Sequence, residues 1–255
     1  MDSKQIAEEG LILKVEVGSR ILGLGLEGTD DRDLMGIAME PPSHIVGLSR
    51  FEQHQWRTQP EGVRSGPGDI DEVVYSLRKW FGLALQGNPS IIMLLFAPNN
   101  SMHFMNGYGR AVIGARDKII SKQAGYRFAG YMEAQRLRML GLKGGTHTNR
   151  PELVEKYGYD TKFAYHMVRL GMQGIELMRT GKLILPMKDT ERDMLMSIRT
   201  GGYTKDEVVA NTEHLKLQLE DAIEQSELPE RPDREWADKF LTDIYIRFWT
   251  HRGLI

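Results

Sequence analysis

The chain has 255 residues, 41% of them hydrophobic and 27% charged, with 27 Gly and 10 Pro. That is globular composition, which excludes a disordered or collagen-like chain, and at this length folding buries roughly 70% of the extended-chain surface without covalent staples. A formal charge of −2 excludes a uniformly basic nucleic-acid binder but not a local patch, and the absence of cysteine excludes disulfide frameworks, thiolate zinc sites and thiol nucleophiles. The first nine residues are acidic and lack an apolar run, so they do not read as a signal peptide. No stretch approaches 18 uncharged apolar residues. The expectation is a soluble protein of a reducing cytoplasm with no membrane partner.

In residues 11–17 the apolar side chains alternate with Lys14 and Glu16, the pattern of a half-buried strand. A Gly-rich turn follows over residues 18–29, and a second extended run from Asp31 through Met39 ends at Pro41-Pro42. Residues 49–68, polar and carrying Gly, Pro and Trp56, read as a long surface loop with room for short strands. From Asp71 the period changes: Val74, Leu77, Phe81, Leu83 and Leu85 lie roughly on one helical face, up to Gly87-Asn88-Pro89. Beyond Gly109 the spacing predicts helices over 110–121, 124–140, 160–180, 190–199, 205–225 and 234–249. Asp160 and Asp233 stand at N-cap positions, Thr204 and Glu207 have capping-box spacing, and Gly181 stands where a helix ends. The expected organisation is a mixed α/β front lobe, residues 1–105, followed by a helical lobe, residues 106–255.

Gly23, Gly25 and Gly28 form a G-x-G-x-x-G string after a strand. A dinucleotide turn needs a helix opening at the third glycine to face pyrophosphate, whereas Asp30, Asp31 and Asp33 crowd carboxylates into that place. No H-R-D, D-F-G or Walker string supports a kinase or P-loop reading. A better fit is Gly18-Ser19 followed by Asp31-Arg32-Asp33. Strand residues two apart face the same way, so the two carboxylates converge, a donor set suited to Mg²⁺ bridging substrate phosphates. Backbone N–H groups of a Gly-Ser turn suit the outer phosphates of a nucleotide.

This combination resembles the DNA polymerase beta nucleotidyltransferase superfamily. Gly18-Ser19-Arg20 with Gly23-Leu24, the D-x-D and Gly36 is similar to the G-S-R-x-x-G-L…D-x-D-x-x-G of its RNA-repair-associated bacterial and phage branch. Residues 75–80 (YSLRKW) with 83–89 (LALQGNP) resemble that branch's Y-x-L-R-K-[FW]…L-A-x-x-G-N-P helix, and residues 157–170 (YGYDTKFAYHMVRL) its Y-G-Y-D-x-K-x-A-x-H-x-x-R-L helix. Glu176-Leu177-Met178, Thr180-Gly181 and Ser197-Ile198-Arg199 continue the match, which spans roughly 15–200. The resemblance implies an α+β fold with a polymerase-beta-like core, a mixed sheet with helices, followed by the helical lobe. It implies Asp31 and Asp33 as metal ligands for two Mg²⁺ or Mn²⁺ ions, and Gly18, Ser19 and Arg20 as the phosphate cradle for an NTP. A third carboxylate comes from a later strand: Asp71 aligns best, with Asp69 and Glu72 as competitors. Asp30 competes with Asp31 if the register slips, but alternation pairs Asp31 with Asp33.

Residues 110–150 carry nine basic side chains against Asp117 and Glu133, a local +7 with Tyr126, Phe128 and Tyr131 interleaved. An RNA-tracking face and solvated helix surfaces with core aromatics fit this equally well. The Gly-rich basic loop 141–150 reads either as a phosphate lid or as an interhelical turn. Lys162, His166 and Arg169 share one helical stripe. With Lys79 they are expected to bind nucleotide phosphates, against the plainer reading of a satisfied histidine among surface charges. Met132, Met139, Met167, Met172 and Met178 read as core. The leading reading is transfer of NMP from an NTP to an RNA (tRNA) end. The alternatives are nucleotidylation of a protein or small molecule, and a nucleotide- or RNA-binding module without catalysis.

Overall fold

A computed structural model describes residues 1–25, 31–63, 65–142 and 150–255. The end of the G-x-G-x-x-G string, Asp30 and most of the 141–150 loop, and with them the expectations placed there, lie outside the described residues.

In chain order the elements are α1 (Ser3–Glu9), β1 (Leu11–Glu16), α2 (Gly18–Ile21), β2 (Arg32–Ala38), α3 (Pro42–Ile45), β3 (Gln53–Arg57), β4 (Ile70–Ser76), α4 (Leu77–Leu85), α5 (Pro89–Ile92) and β5 (Met102–Met105). There follow α6 (Gly107–Gly114), α7 (Arg116–Ile119), α8 (Lys122–Met139), α9 (Pro151–Tyr157), α10 (Thr161–Thr180), α11 (Asp189–Arg199), α12 (Lys205–Glu224) and α13 (Arg234–His251). The strands form one mixed sheet in the order β3-β4-β2-β1-β5. β2 and β4 run parallel, and the other neighbours are antiparallel. The class is α+β, as expected.

Two expectations are corrected. Residues 71–76, expected on a helical face, lie in the strand β4; Val73, Val74 and Tyr75 suit a pleated surface, and the helix starts only at Leu77. Its start is marked by Ser76, whose Oγ accepts the Lys79 N–H at 3.1 Å. The segment 49–68, expected as a surface loop with room for short strands, holds one, β3, whose Gln, His, Gln, Trp and Arg carry no hydrophobic alternation. The predicted helix 110–121 is two pieces, α6 and α7, and the short α1 and α9 were not predicted.

The chain divides into two compact units. One comprises Met1–Leu85, Ser90–Ile119 and Pro232–Ile255; the other comprises Gln86–Pro89 and Ile120–Arg231.

In the first unit, Leu13, Val15 and Ile37 are fully buried on the sheet. On its other face α1 seals a cluster of Ile6, Ala7, Ala38, Phe51 and Val74. The reason residues 232–255 join this unit lies in α13. Its Phe240 stacks on Phe81 of α4 with ring centroids 5.5 Å apart, and its Trp249 Nε1 donates to Glu40 O at 2.8 Å. The Tyr245 hydroxyl donates to the buried Glu40 carboxylate and accepts the Arg78 N–H at 3.2 Å. Burial pushes the Glu40 carboxyl above its ordinary range, and Tyr245, Ser76 and Arg78 only partly pull it back. A carboxyl raised on folding gives its full stability below the unfolded value, about 4.3, and loses it as pH rises through the folded value. We expect Tyr245→Phe, which strands a buried acceptor, to destabilise the protein by about 1–3 kcal/mol in urea unfolding. Glu40→Gln should flatten the decline of Tm with rising pH on the same limb.

In the second unit α10 packs against α8, α11 and α12. Asp160 caps it by accepting the Lys162 and Phe163 N–H groups, and Gly181, left-handed at φ 68°, ends it. A Cβ on Gly174 would lie 2.9 Å from Phe128 Cβ on α8 and 3.0 Å from Leu219 Cδ1 on α12, so glycine sits where three helices meet. The capping box of Thr204 and Glu207 opens α12, and Asp233 caps α13, as expected. Met132, Met139, Met167 and Met178 are buried core residues, and Met172 is partly exposed.

Candidate active site

β1 ends at a tight reversal. Val17 is extended and donates its N–H to Asp33 O at 2.8 Å; Gly18 then takes φ +70° and opens the single turn of α2. Only glycine fits at this position, because a Cβ would lie 2.0 Å from Asp33 Oδ2 and a left-handed φ strains any other residue. The Gly-Ser turn and the second acid of the D-x-D therefore touch directly.

The sheet supplies the third carboxylate. In the parallel β2–β4 pair Asp33 stands opposite Asp71, so both point to one face, and Asp31, just before β2, brings its carboxylate to the same cluster. One carboxylate oxygen from each of Asp31, Asp33 and Asp71 lies within 4.8 Å of the others, and all three residues are half-buried. The competitors are employed elsewhere. Asp69 accepts from Thr58 Oγ1 and the Gly66 N–H, both at 2.9 Å, while Glu72 points to the opposite face and pairs with Lys14 Nζ at 2.7 Å.

Asp71 is held on both oxygens. Arg57 Nε and Gln59 Nε2 donate to Oδ1 at 2.8 and 2.9 Å, and Ser65 Oγ donates to Oδ2 at 2.6 Å. Burial alone raises the Asp71 pKa, but these three donors and the Arg57 charge outweigh it and hold the carboxyl below its ordinary value. Such a group contributes stability that is present above the unfolded pKa, about 3.9, and lost as pH falls through the folded one. Arg57→Ala is expected to move the Asp71 midpoint upward in a carbon-detected NMR titration of metal-free protein. An unmoved midpoint would mean that Ser65 and Gln59 suffice. Sequence reasoning missed Arg57, Gln59 and Ser65, since all fall in the segment read as loop. The signal available was Arg57 at the end of a five-residue extended run facing Asp71, visible only once β3 is paired with β4.

The other expected phosphate-binding residues are dispersed. Arg20 leans toward Glu16 at 3.7 Å, and Lys79 pairs with Glu52 at 2.8 Å. Lys162, His166 and Arg169 lie together on α10, in the second unit. The basic segment 110–150 is split between the two units and much of it is paired: Arg116 with Asp117, Lys122 with Glu230, Arg136 with Glu133, Arg150 with Asp160. Of its aromatics Phe128 is core, whereas Tyr126 is 60% exposed and Tyr131 38%.

The chain matches over residues 2–243 a family model, RlaP, described as the RNA repair pathway DNA polymerase beta family. It belongs to that family. A nucleotidyltransferase-like protein from Exiguobacterium sibiricum 255-15 is 8% identical, with 87% of this chain and 71% of that chain covered at a TM-score of 0.31. No curated protein matches. RlaP membership makes the chain a polymerase-beta-type nucleotidyltransferase associated with RNA repair. The donor set of this RlaP chain fits a divalent metal: three carboxylates on one sheet face supply hard oxygen ligands, with no soft donor among them. Among the described residues no helix is long and apolar enough to cross a membrane.

Proposed function

We propose that the protein transfers a nucleoside monophosphate from an NTP to a hydroxyl of an RNA end, a tRNA end being the leading candidate, in a reducing cytoplasm. The observation that carries the reading is the convergence of Asp31, Asp33 and Asp71 on one sheet face, against the Gly18 turn. Asp31, Asp33 and Asp71 would hold Mg²⁺ or Mn²⁺. Such ions, when bound, neutralise phosphate charge and stabilise the attacking and leaving oxygens of an in-line displacement.

The remaining work falls to the chain's own groups. Gly18 and Ser19 offer the backbone of the turn to the outer phosphates, and the absence of a Cβ at 18 lets Asp33 stand directly beside them. Three donors fix the Asp71 rotamer and make it a poor proton acceptor, so its role is that of a ligand rather than the base for the acceptor hydroxyl. Arg57, 41% exposed at its side chain, keeps a cation beside the acids and balances part of their repulsion before substrate arrives.

The test incubates the protein with Mg²⁺, each labelled NTP in turn, and total RNA or host protein, beside an Asp31→Ala/Asp33→Ala double variant. Label on RNA 3′ ends that disappears in the variant is the expected result. Label on protein overturns the RNA acceptor, and nucleotide binding without any transfer overturns catalysis.

A further inference from the structure

The helical unit gathers cationic side chains that the metal site does not use. Lys162, His166 and Arg169 follow one another along α10 at i, i+4 and i+7. Arg150, just before α9, has its Nε 3.4 Å from Asp160 Oδ1 and its Cζ 4.9 Å from the Phe163 ring. Arg199, the last residue of α11, accepts from Thr161 Oγ1 at 3.1 Å and holds its Cζ 5.9 Å from the Tyr165 ring. That ring in turn lies 4.6 Å from the His166 ring. The ends of α9 and α11 thus bring two arginines to the first turns of α10, and none of the five side chains is fully exposed.

Two further features set this cluster apart from a surface salt-bridge network. Arg169 Nη1 donates to Gln173 Oε1 at 2.8 Å, yet Arg169 Nε and Gln173 Nε2 are buried atoms with no hydrogen-bond partner among the described residues. His166 is neutral at pH 7: burial first, then the charges of Arg169, Lys162, Arg150 and Arg199, hold its imidazole well below the usual range. Asp160 offsets part of the positive charge at Arg150, but buried donors without acceptors are costly, so an anion seated against Arg169 relieves the arrangement. Arginine forks match phosphate oxygens in geometry as well as charge. A terminal phosphate carries up to two charges where a phosphodiester carries one, which suits a site with several cations.

We infer that Arg150, Lys162, His166, Arg169 and Arg199 form a phosphate-binding site carried wholly by the helical unit, and that it takes a terminal phosphate, of a nucleotide or of an RNA end. Arg150 and Arg199 enter as ligand-binding residues alongside the α10 stripe. The source of the phosphate rests on the proposed transferase activity; the site itself does not.

The test is made in EDTA, where the carboxylates hold no metal and repel phosphate. Full-chain protein is titrated with inorganic tripolyphosphate by calorimetry. Saturable binding is expected, weakened about tenfold or more in Arg199→Gln and Arg150→Gln and preserved in Asp31→Ala/Asp33→Ala. Arg199→Lys should restore part of the affinity, and binding should shift the His166 ring resonances toward a higher titration midpoint as its neighbours are neutralised. If a glutamine variant fails to fold, the lysine variant and the His166 titration decide. Absence of saturable binding, equal affinity in the arginine variants, or loss in the aspartate variant overturns the inference. Competition by ATP assigns the site to nucleotide, and competition by 5′-phosphorylated but not 5′-hydroxyl RNA assigns it to an RNA end. Equal competition by both RNAs overturns the terminal-phosphate assignment. Intact binding with no NMP transfer would overturn the proposed function and leave this site standing; transfer without binding would do the reverse.

Discussion

Asp33→Ala is expected to reduce NMP transfer by about 10³-fold or more while leaving the fold intact. Its carboxylate is one of three that converge within 4.8 Å, and on the proposed function removing it removes a metal ligand rather than a substrate contact. A ligated divalent ion supplies several kcal/mol of transition-state stabilisation, and about 4 kcal/mol corresponds to that rate loss. The variant's Tm should hold or rise, because taking one acid from a cluster of three relieves repulsion. Mg²⁺ titration followed by a thermal-shift assay checks both halves: wild type gains stability with added ion, and the variant does not. A variant that keeps its activity would remove the carboxylates from the chemistry.

Gly18→Ala should cost nearly as much, although it deletes no functional group. The new Cβ meets Asp33 Oδ2 at 2.0 Å, and φ +70° adds about 1–2 kcal/mol of backbone strain for an L-residue. Either Asp33 swings away or the turn opens, and a displacement of about 1 Å in a reacting group is enough for roughly a 10²-fold loss. A double-mutant cycle separates the causes. In the Asp33→Ala background the 2.0 Å clash is replaced by a 3.1 Å contact with the Cβ of residue 33, so Gly18→Ala should there show chiefly the backbone strain in urea unfolding. Additive stability effects would mean that the two residues are not coupled as the geometry requires.

The parts of the site legible in the sequence were those written locally. Gly18-Ser19 and the i, i+2 spacing of Asp31 and Asp33 need only one chain segment each, as do the caps at Asp160, Thr204 and Asp233. The third carboxylate was less clear because three candidates lie within four residues, and choosing among them requires the parallel register of β4 on β2. A helical reading from Asp71 onward hides the strand that sets that register. Arg57, Gln59 and Ser65 were invisible for a related reason: an edge strand with no apolar alternation gives no periodic signal, and its role depends on a partner 14 residues away. The helical spacing of Lys162, His166 and Arg169 was plain, but Arg150 and Arg199 join them only through the packing of α9 and α11.

The return of α13 to the sheet-containing unit has a consequence for how the molecule is made. That unit is discontinuous in sequence, while the helical unit runs almost unbroken from Ile120 to Arg231. On the ribosome the acids and the Gly18 turn emerge first, yet Glu40 waits for Tyr245 and Trp249, some 200 residues later, to cover it. The helical unit can therefore complete its own packing before the sheet that carries the acids is closed. Any cleavage or stop between Arg231 and Tyr245 strips the nucleotidyltransferase sheet of its last cover, not the helical unit that immediately precedes the break. A premature end in the message thus disarms the enzyme from the side farthest in sequence from its acids.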